Sequence, residues 1–301
     1  MSPRDLLGSY AFIASLAWIL GLALGGFPAY ASEITVISLA IMMTLSLSNI
    51  TINREGMKGT LRLTLLSILL NYALLTGLIL VMTLFFSDES LIAGWVLMAA
   101  VPSAVAVVPF TYMLKGDTRL SLMGTTSIYL LSLVLAPLIT LVFLGQEIDR
   151  FRLIYTIVLM ILIPIGISQL PQLRRIGTGL KTPMINACFA VLVFAMTGAN
   201  REAFGEDPSM VAWVAVACLT RTFIVGLVVL YLLKFTKMPV EKKTTLVLFS
   251  SYKNLGLTAA IAMALIGYEA AIPATICIPF EIFWLVALKG GVLRNNKDSK
   301  S

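Results

Sequence analysis

Three ionisable residues stand inside long apolar runs: Arg221, Lys253 and Glu281. Such a group can hold an ion, meet a charged solute or carry a proton, and it normally has a partner, because a bare charge in hydrocarbon costs ~3 kcal/mol on insertion scales. Lys253 follows Lys242-Lys243 by about ten residues. At ~1.5 Å rise per residue that is roughly 15 Å of depth, near the middle of a bilayer core. Its stem is too short to return the ammonium to the interface, so it must face a protein interior or a wet cavity. Two cations and one anion leave one positive charge over. A Lys253–Glu281 relationship is favoured, since lysine gives up its proton on burial far more readily than arginine. Arg221–Glu281 is the alternative, and it leaves Lys253 to meet an anion or to lose its proton. A salt bridge that only fixes helix packing is the plainer reading of either pair.

Polar residues accompany these charges. Ser250, Ser251, Asn254 and Gly256 surround Lys253, and an earlier apolar run carries Val101-Pro102-Ser103-Ala104 followed by Pro109. Proline removes an amide donor and clashes with the preceding turn, while serine and glycine weaken helix by backbone competition and flexibility. Both runs are therefore expected to be interrupted near mid-depth, and paired interruptions in two halves of a carrier point to its binding site. Ser103, Ser250 and Asn254, with Asn71 in another run, are the candidate binding residues beside the three charges. Ser, Thr and Asn also serve as interhelical glue, which is the plain reading of Thr125, Thr126, Ser127 and Tyr129.

Other chemistry has no visible machinery. The chain has no histidine, and its six aspartates (Asp5, Asp88, Asp117, Asp149, Asp207 and Asp298) fall in loops or tails. That removes imidazole relays, histidine–metal sites and an intramembrane aspartyl pair. There is no glycine-rich phosphate loop. Cys188, Cys218 and Cys277 give neither metal spacing nor a disulfide framework and read as small core residues. No enzyme activity, metal or cofactor is expected.

The elements that must position these residues are membrane spans. Of 301 residues, 59% are hydrophobic and only 12% charged, the composition of a polytopic all-α membrane protein. Apolar runs and charged breaks divide the chain into ten spans, at 6–26, 34–52, 61–86, 91–114, 120–144, 152–170, 182–199, 209–233, 244–266 and 271–288. With the N-terminus in the cytoplasm, 17 of the 22 Lys and Arg residues fall on the cytoplasmic side and three (Arg150, Arg152 and Arg201) outside. That alternation is the positive-inside signal of a cell (inner) membrane protein with both termini cytoplasmic. It also accounts for the net charge of +7 without a nucleic-acid partner. Arg4, an apolar run and Ala29-Tyr30-Ala31 imitate a cleavable signal. The run is about 22 residues, against the ~7–15 of a signal core, so it is expected to stay as the first span. Five spans per half make residues 1–145 and 146–301 an inverted repeat, because an odd number sends the second half in from the opposite side.

At this point the residues resemble a known family. The layout, the breaks in spans four and nine, Thr111-Tyr112 followed by Lys115-Gly116-Asp117, and Asn254-Leu255-Gly256-Leu257 resemble the bile acid:sodium symporter family. The resemblance implies a core bundle of spans three to five and eight to ten, a panel of spans one, two, six and seven, and spans four and nine discontinuous and crossing at their unwound centres. It implies alternating access and organic-anion substrates, from bile acids to small carboxylates. The departures bear on coupling. Sodium-coupled members read Glu-x-x-x-Gln-Asn-x-Gly-Leu in span nine. Here Phe249 takes the Glu position and Lys253 the Gln position. The family's Ser-Asn pair in span four falls on Val107 and Val108, and Asn71 stands where span three has a Gln.

The expectation is a secondary transporter of an organic anion, independent of sodium or coupled to protons, with Lys253 in the place of the sodium ion. Two alternatives stand beside it. One is a sodium symporter whose ion site is built from Asn71, Asn254, hydroxyls and carbonyls; the other is a receptor or assembly subunit that keeps the carrier scaffold.

Overall fold

The computed structural model describes residues 9–48, 60–144 and 150–292. Every regular element among them is helical. The first four are α1 (Tyr10–Leu24), α2 (Ala31–Leu47), α3 (Leu61–Thr83) and α4 (Glu89–Ala100). Next come α5 (Val107–Met113), α6 (Thr118–Leu144), α7 (Arg150–Ser168), α8 (Pro171–Arg175) and α9 (Thr178–Ala199). The chain continues with α10 (Arg201–Glu206), α11 (Pro208–Lys234), α12 (Val240–Ser251), α13 (Leu255–Leu265) and α14 (Ile272–Ala287). Among the described residues seven helical stretches are long and apolar enough to cross a membrane, α12 and α13 counting as one, and α1, α2 and α4 are shorter apolar helices. Large apolar side chains such as Leu65, Leu84, Val134 and Val142 are exposed on the outside. In water such a surface would drive association; in lipid it is the required exterior.

Local chemistry sets the ends. Asp88 accepts from Leu91 N at 2.8 Å at the start of α4, and Asp207 accepts from Met210 N at 2.9 Å at the start of α11, where Pro208 holds the first helical position. The Met210 amide first, then the Ser209 hydroxyl, hold the exposed Asp207 carboxyl below its ordinary range. The Lys115-Gly116-Asp117 stretch is a tight turn. Lys115 has φ 56°, Asp117 caps α6 through Leu120 N at 2.9 Å, and Asp117 N donates to Glu241 O at 2.9 Å. A Cβ on Gly116 would lie 2.9 Å from both Thr111 and Thr245 side chains, so glycine is what lets this turn seat on α12.

The helices pack as two groups. In one, α9 lies against α1 and α2, and α2 against α7. In the other, α4 packs on α3 and α6, and α11 on α12 and α14, with α13 against α4 and α14. The groups touch where α2 meets α13, α6 meets α7 and α1 meets α14. The cysteines depart from expectation. Cys218 of α11 and Cys277 of α14 form a disulfide with Cα atoms 5.2 Å apart, because the packing of these two helices turns both side chains inward. Cys188 is free.

Candidate functional site

Two of the membrane runs break. α4 stops at Ala100, Val101 turns extended (φ −66°, ψ 156°), and helix resumes only at Val107. The helical run from Val240 stops at Ser251, Tyr252 is extended (φ −116°, ψ 126°), and helix resumes at Leu255. The first interruption lies at Pro102, as its chemistry predicts, while Pro109 sits in the first turn of α5. The second is narrower than predicted. Ser250 and Ser251 remain helical and Gly256 is already inside α13, so the break is Tyr252-Lys253-Asn254. The two breaks meet, and Asn254 N donates to Pro102 O at 3.0 Å.

A broken helix leaves carbonyls without partners at its C-terminal end, where the helix dipole is negative. At the end of α4 these are turned on one cation, the ammonium of Lys253. Lys253 Nζ donates to Ala99 O at 3.0 Å, Val101 O at 2.9 Å, Thr76 Oγ1 at 2.9 Å and Asn71 Oδ1 at 3.3 Å. The ring of Tyr72 lies below it, 4.7 Å from the nitrogen. The residue is fully buried. Burying an ammonium costs several kcal/mol; four acceptors around three donors, at roughly 1.5–3 kcal/mol per charge-assisted bond, offset it. Among the described residues no carboxylate takes part.

Asn71 serves both breaks. Its Nδ2 donates to Phe249 O at 3.1 Å and Tyr252 O at 3.3 Å, the loose carbonyls of α12, while its Oδ1 faces Lys253. Asn71 lies in a π-helical stretch of α3, Leu69–Leu75. Such a stretch widens the helix, and it is frequent at functional sites. Phe249 is buried with its ring against Gly124, where a Cβ would come within 2.6 Å.

Glu281 belongs to Arg221, contrary to the favoured pairing. Arg221 Nη2 donates to Glu281 Oε1 in a buried ion pair. Lys253 reaches Glu281 only through its backbone N, 3.4 Å from the same oxygen. The reason is the direction of the Lys253 side chain, which points toward α3 and the end of α4 rather than toward α14. Arg221 also lies in a π-helical stretch, Thr220–Ile224 of α11. Its Nε and Nη1 are buried without a hydrogen-bond partner, as is the hydroxyl of neighbouring Thr222. Tyr252 OH donates to the Glu281 backbone carbonyl at 2.9 Å, and its ring meets Phe110, which in turn meets Tyr10 of α1.

The remaining candidates separate. Asn254 is the N-cap of α13, accepting from Leu257 N at 3.0 Å, and its Nδ2 donates to Tyr129 OH at 2.8 Å. Ser250 returns its hydroxyl to Val247 O at 2.8 Å. Ser103 lies in the first break, fully buried, its hydroxyl without a partner. Sequence reasoning missed Thr76 and the carbonyls of Ala99 and Val101. Thr76, five residues beyond Asn71 in a helix widened by one π-turn, is the one a spacing argument could have found. Beyond Tyr129, a cleft of about 40 Å³ lies between the two helix groups, lined by Leu47, Thr126, Tyr129, Ile165, Ser168 and Gln169.

Residues 34–203 match the family model described as the Sodium Bile acid symporter family. No curated protein matches the sequence. The matched residues hold Asn71, Thr76 and the first break, and end ahead of Arg221, Lys253 and Glu281. More than half of this multi-pass membrane protein lies within the match, and the chain belongs to the Sodium Bile acid symporter family, whose members are membrane transporters.

Proposed function

We propose that this protein is a sodium-independent secondary transporter of an organic anion, bile-acid-like or a small carboxylate, working by alternating access. The observation that carries the reading is the Lys253 ammonium held by four oxygens at the meeting of two broken helices. Converging C-terminal helix ends and a side-chain amide form the kind of site that attracts a coupling cation in a carrier. Here a covalently attached ammonium fills it, and Phe249 stands where the sodium-coupled pattern has a carboxylate. A built-in cation does not come and go with the transport cycle, so no sodium gradient can be spent through it.

Among the described residues, seven long apolar helices and three shorter ones support ten spans; the distribution of Lys and Arg supports cytoplasmic termini, and five spans per half make the halves inverted in this reading. The π-helical stretches in α3 and α11 and the two helix breaks support the same reading, since each pair falls at matching places in the halves. In this account the group of α1, α2, α7 and α9 is the panel and the other group the core. The cleft between them, walled on the core side by Tyr129, is the start of the solute path. At about 40 Å³ it has room for a few waters, so a solute enters once the groups part.

The test is uptake of radiolabelled cholate and pyruvate into proteoliposomes with sodium replaced by choline. The reading expects unchanged rates. A steep sodium requirement refutes it and favours a symporter with an ion site built from the other polar groups.

A further inference from the structure

The intramembrane charges do not balance. Lys253 is matched by neutral oxygens only, and Arg221 and Glu281 cancel one another. Among the described residues the buried centre therefore carries one net positive charge when Glu281 is ionised, and two when it is protonated. Lys253 has no donor left, since its three N–H groups are divided among four acceptors. Arg221 does: Nε and Nη1 are buried and unmatched, and Thr222 Oγ1 beside them is unmatched as well. Nη2, which Glu281 holds, completes a fork with either of those nitrogens, and such a fork fits a carboxylate in two-point contact.

Glu281 is the group able to release that fork. Both of its hydrogen bonds converge on Oε1, from Arg221 and from the Lys253 backbone N. Its side chain keeps 10% of its surface exposed, while that of Arg221 keeps none. The groups facing it from neighbouring elements are Arg221 of α11, Tyr252 and the Lys253 backbone at the second break, and Tyr10 of α1. Arg221 is the only cationic side chain among them, so neutralising Glu281 leaves an arginine without its anion.

We propose that Arg221 is the carboxylate-binding group of this carrier and Glu281 its proton site, the two anions competing for one guanidinium. A proton arriving on Glu281 Oε2 gives a neutral acid and frees Arg221. The substrate carboxylate then takes the guanidinium, and the substrate and the proton cross together. Release of the proton on the far side restores the Arg221–Glu281 pair and expels the anion. The inference rests on the transport reading above, and it names the substrate class as carboxylates with one anionic group on a buried end.

The experiment uses the full-length protein in detergent and in proteoliposomes, with cholate and pyruvate as probes. In lightly buffered solution near neutral pH, binding of either probe should draw about one proton from solution, read by a pH indicator. Glu281→Gln should abolish proton uptake while keeping probe binding within about threefold. Arg221→Gln should weaken binding at least tenfold, with Arg221→Lys intermediate as a check that the variants fold. In sodium-free proteoliposomes an inward proton gradient should raise wild-type uptake several-fold and leave Glu281→Gln unmoved. In probe-free protein, infrared titration should reveal a protonated carboxylic acid band that disappears in Glu281→Gln. Absence of that band, proton uptake that survives Glu281→Gln, or full binding by Arg221→Gln overturns the proposal. Its failure is separable from that of sodium independence, which the choline exchange tests alone.

Discussion

The two buried cations are held in opposite ways. Lys253 meets oxygens that never change charge, two of them backbone carbonyls fixed by the end of α4, and it is sealed from solvent. Arg221 meets one carboxylate and keeps two donors in reserve. The first arrangement belongs to a permanent part, whose removal strips a cage of its contents. The second is the switch of the proposed cycle, in which a titratable partner leaves and another anion takes its place. Lysine, the more adaptable base in isolation, is here the fixed one; the oxygens around it rather than its intrinsic chemistry decide its role.

The sharpest way to break this contrast is Lys253→Met. Four acceptors in a closed cage lose their donor, and the loss should cost ~3 kcal/mol or more, seen as a large fall in melting temperature. Glu281→Gln should fold far better and change its pH response instead. If the two variants prove equally unstable, the distinction between cage and switch fails. Asn71→Ala comes next, at ~2 kcal/mol, since it removes bonds to Phe249 O, Tyr252 O and Lys253 together. Gly124→Ala should cost ~1–3 kcal/mol by pressing on the Phe249 ring; Gly124→Ala combined with Phe249→Leu should recover much of it, which a double-mutant melting cycle reads. Asp117→Ala is the smallest, about 1 kcal/mol from a lost cap, with sodium and proton responses unchanged.

The order in which the chain disclosed itself follows from physics. Apolar runs and basic loops are summed over twenty residues at a time, so an all-helical membrane protein with Arg221, Lys253 and Glu281 buried inside it was legible without coordinates. The break at Pro102 was legible because proline acts on its own backbone. The Arg221–Glu281 pairing was not, since it depends on which way the Lys253 side chain leaves a three-residue gap. Nor were the carbonyls of Ala99 and Val101, because any residue supplies a carbonyl and only the end of a helix makes it available. Ser250 misled for a related reason: a serine in a membrane helix bonds its own previous turn as readily as a ligand. The Cys218–Cys277 bond escaped because spacing within one chain says nothing of two helices that pack side by side.

The most direct test of the central claim, that an ammonium does the work of a bound metal cation, is a melting experiment in sodium against choline. It compares wild-type protein with Lys253→Ala, which vacates the oxygen cage. The account predicts a wild-type melting temperature indifferent to the exchange and a weakened Lys253→Ala protein that sodium partly restores. Sodium that stabilises the wild type, with no gain in Lys253→Ala, would contradict it.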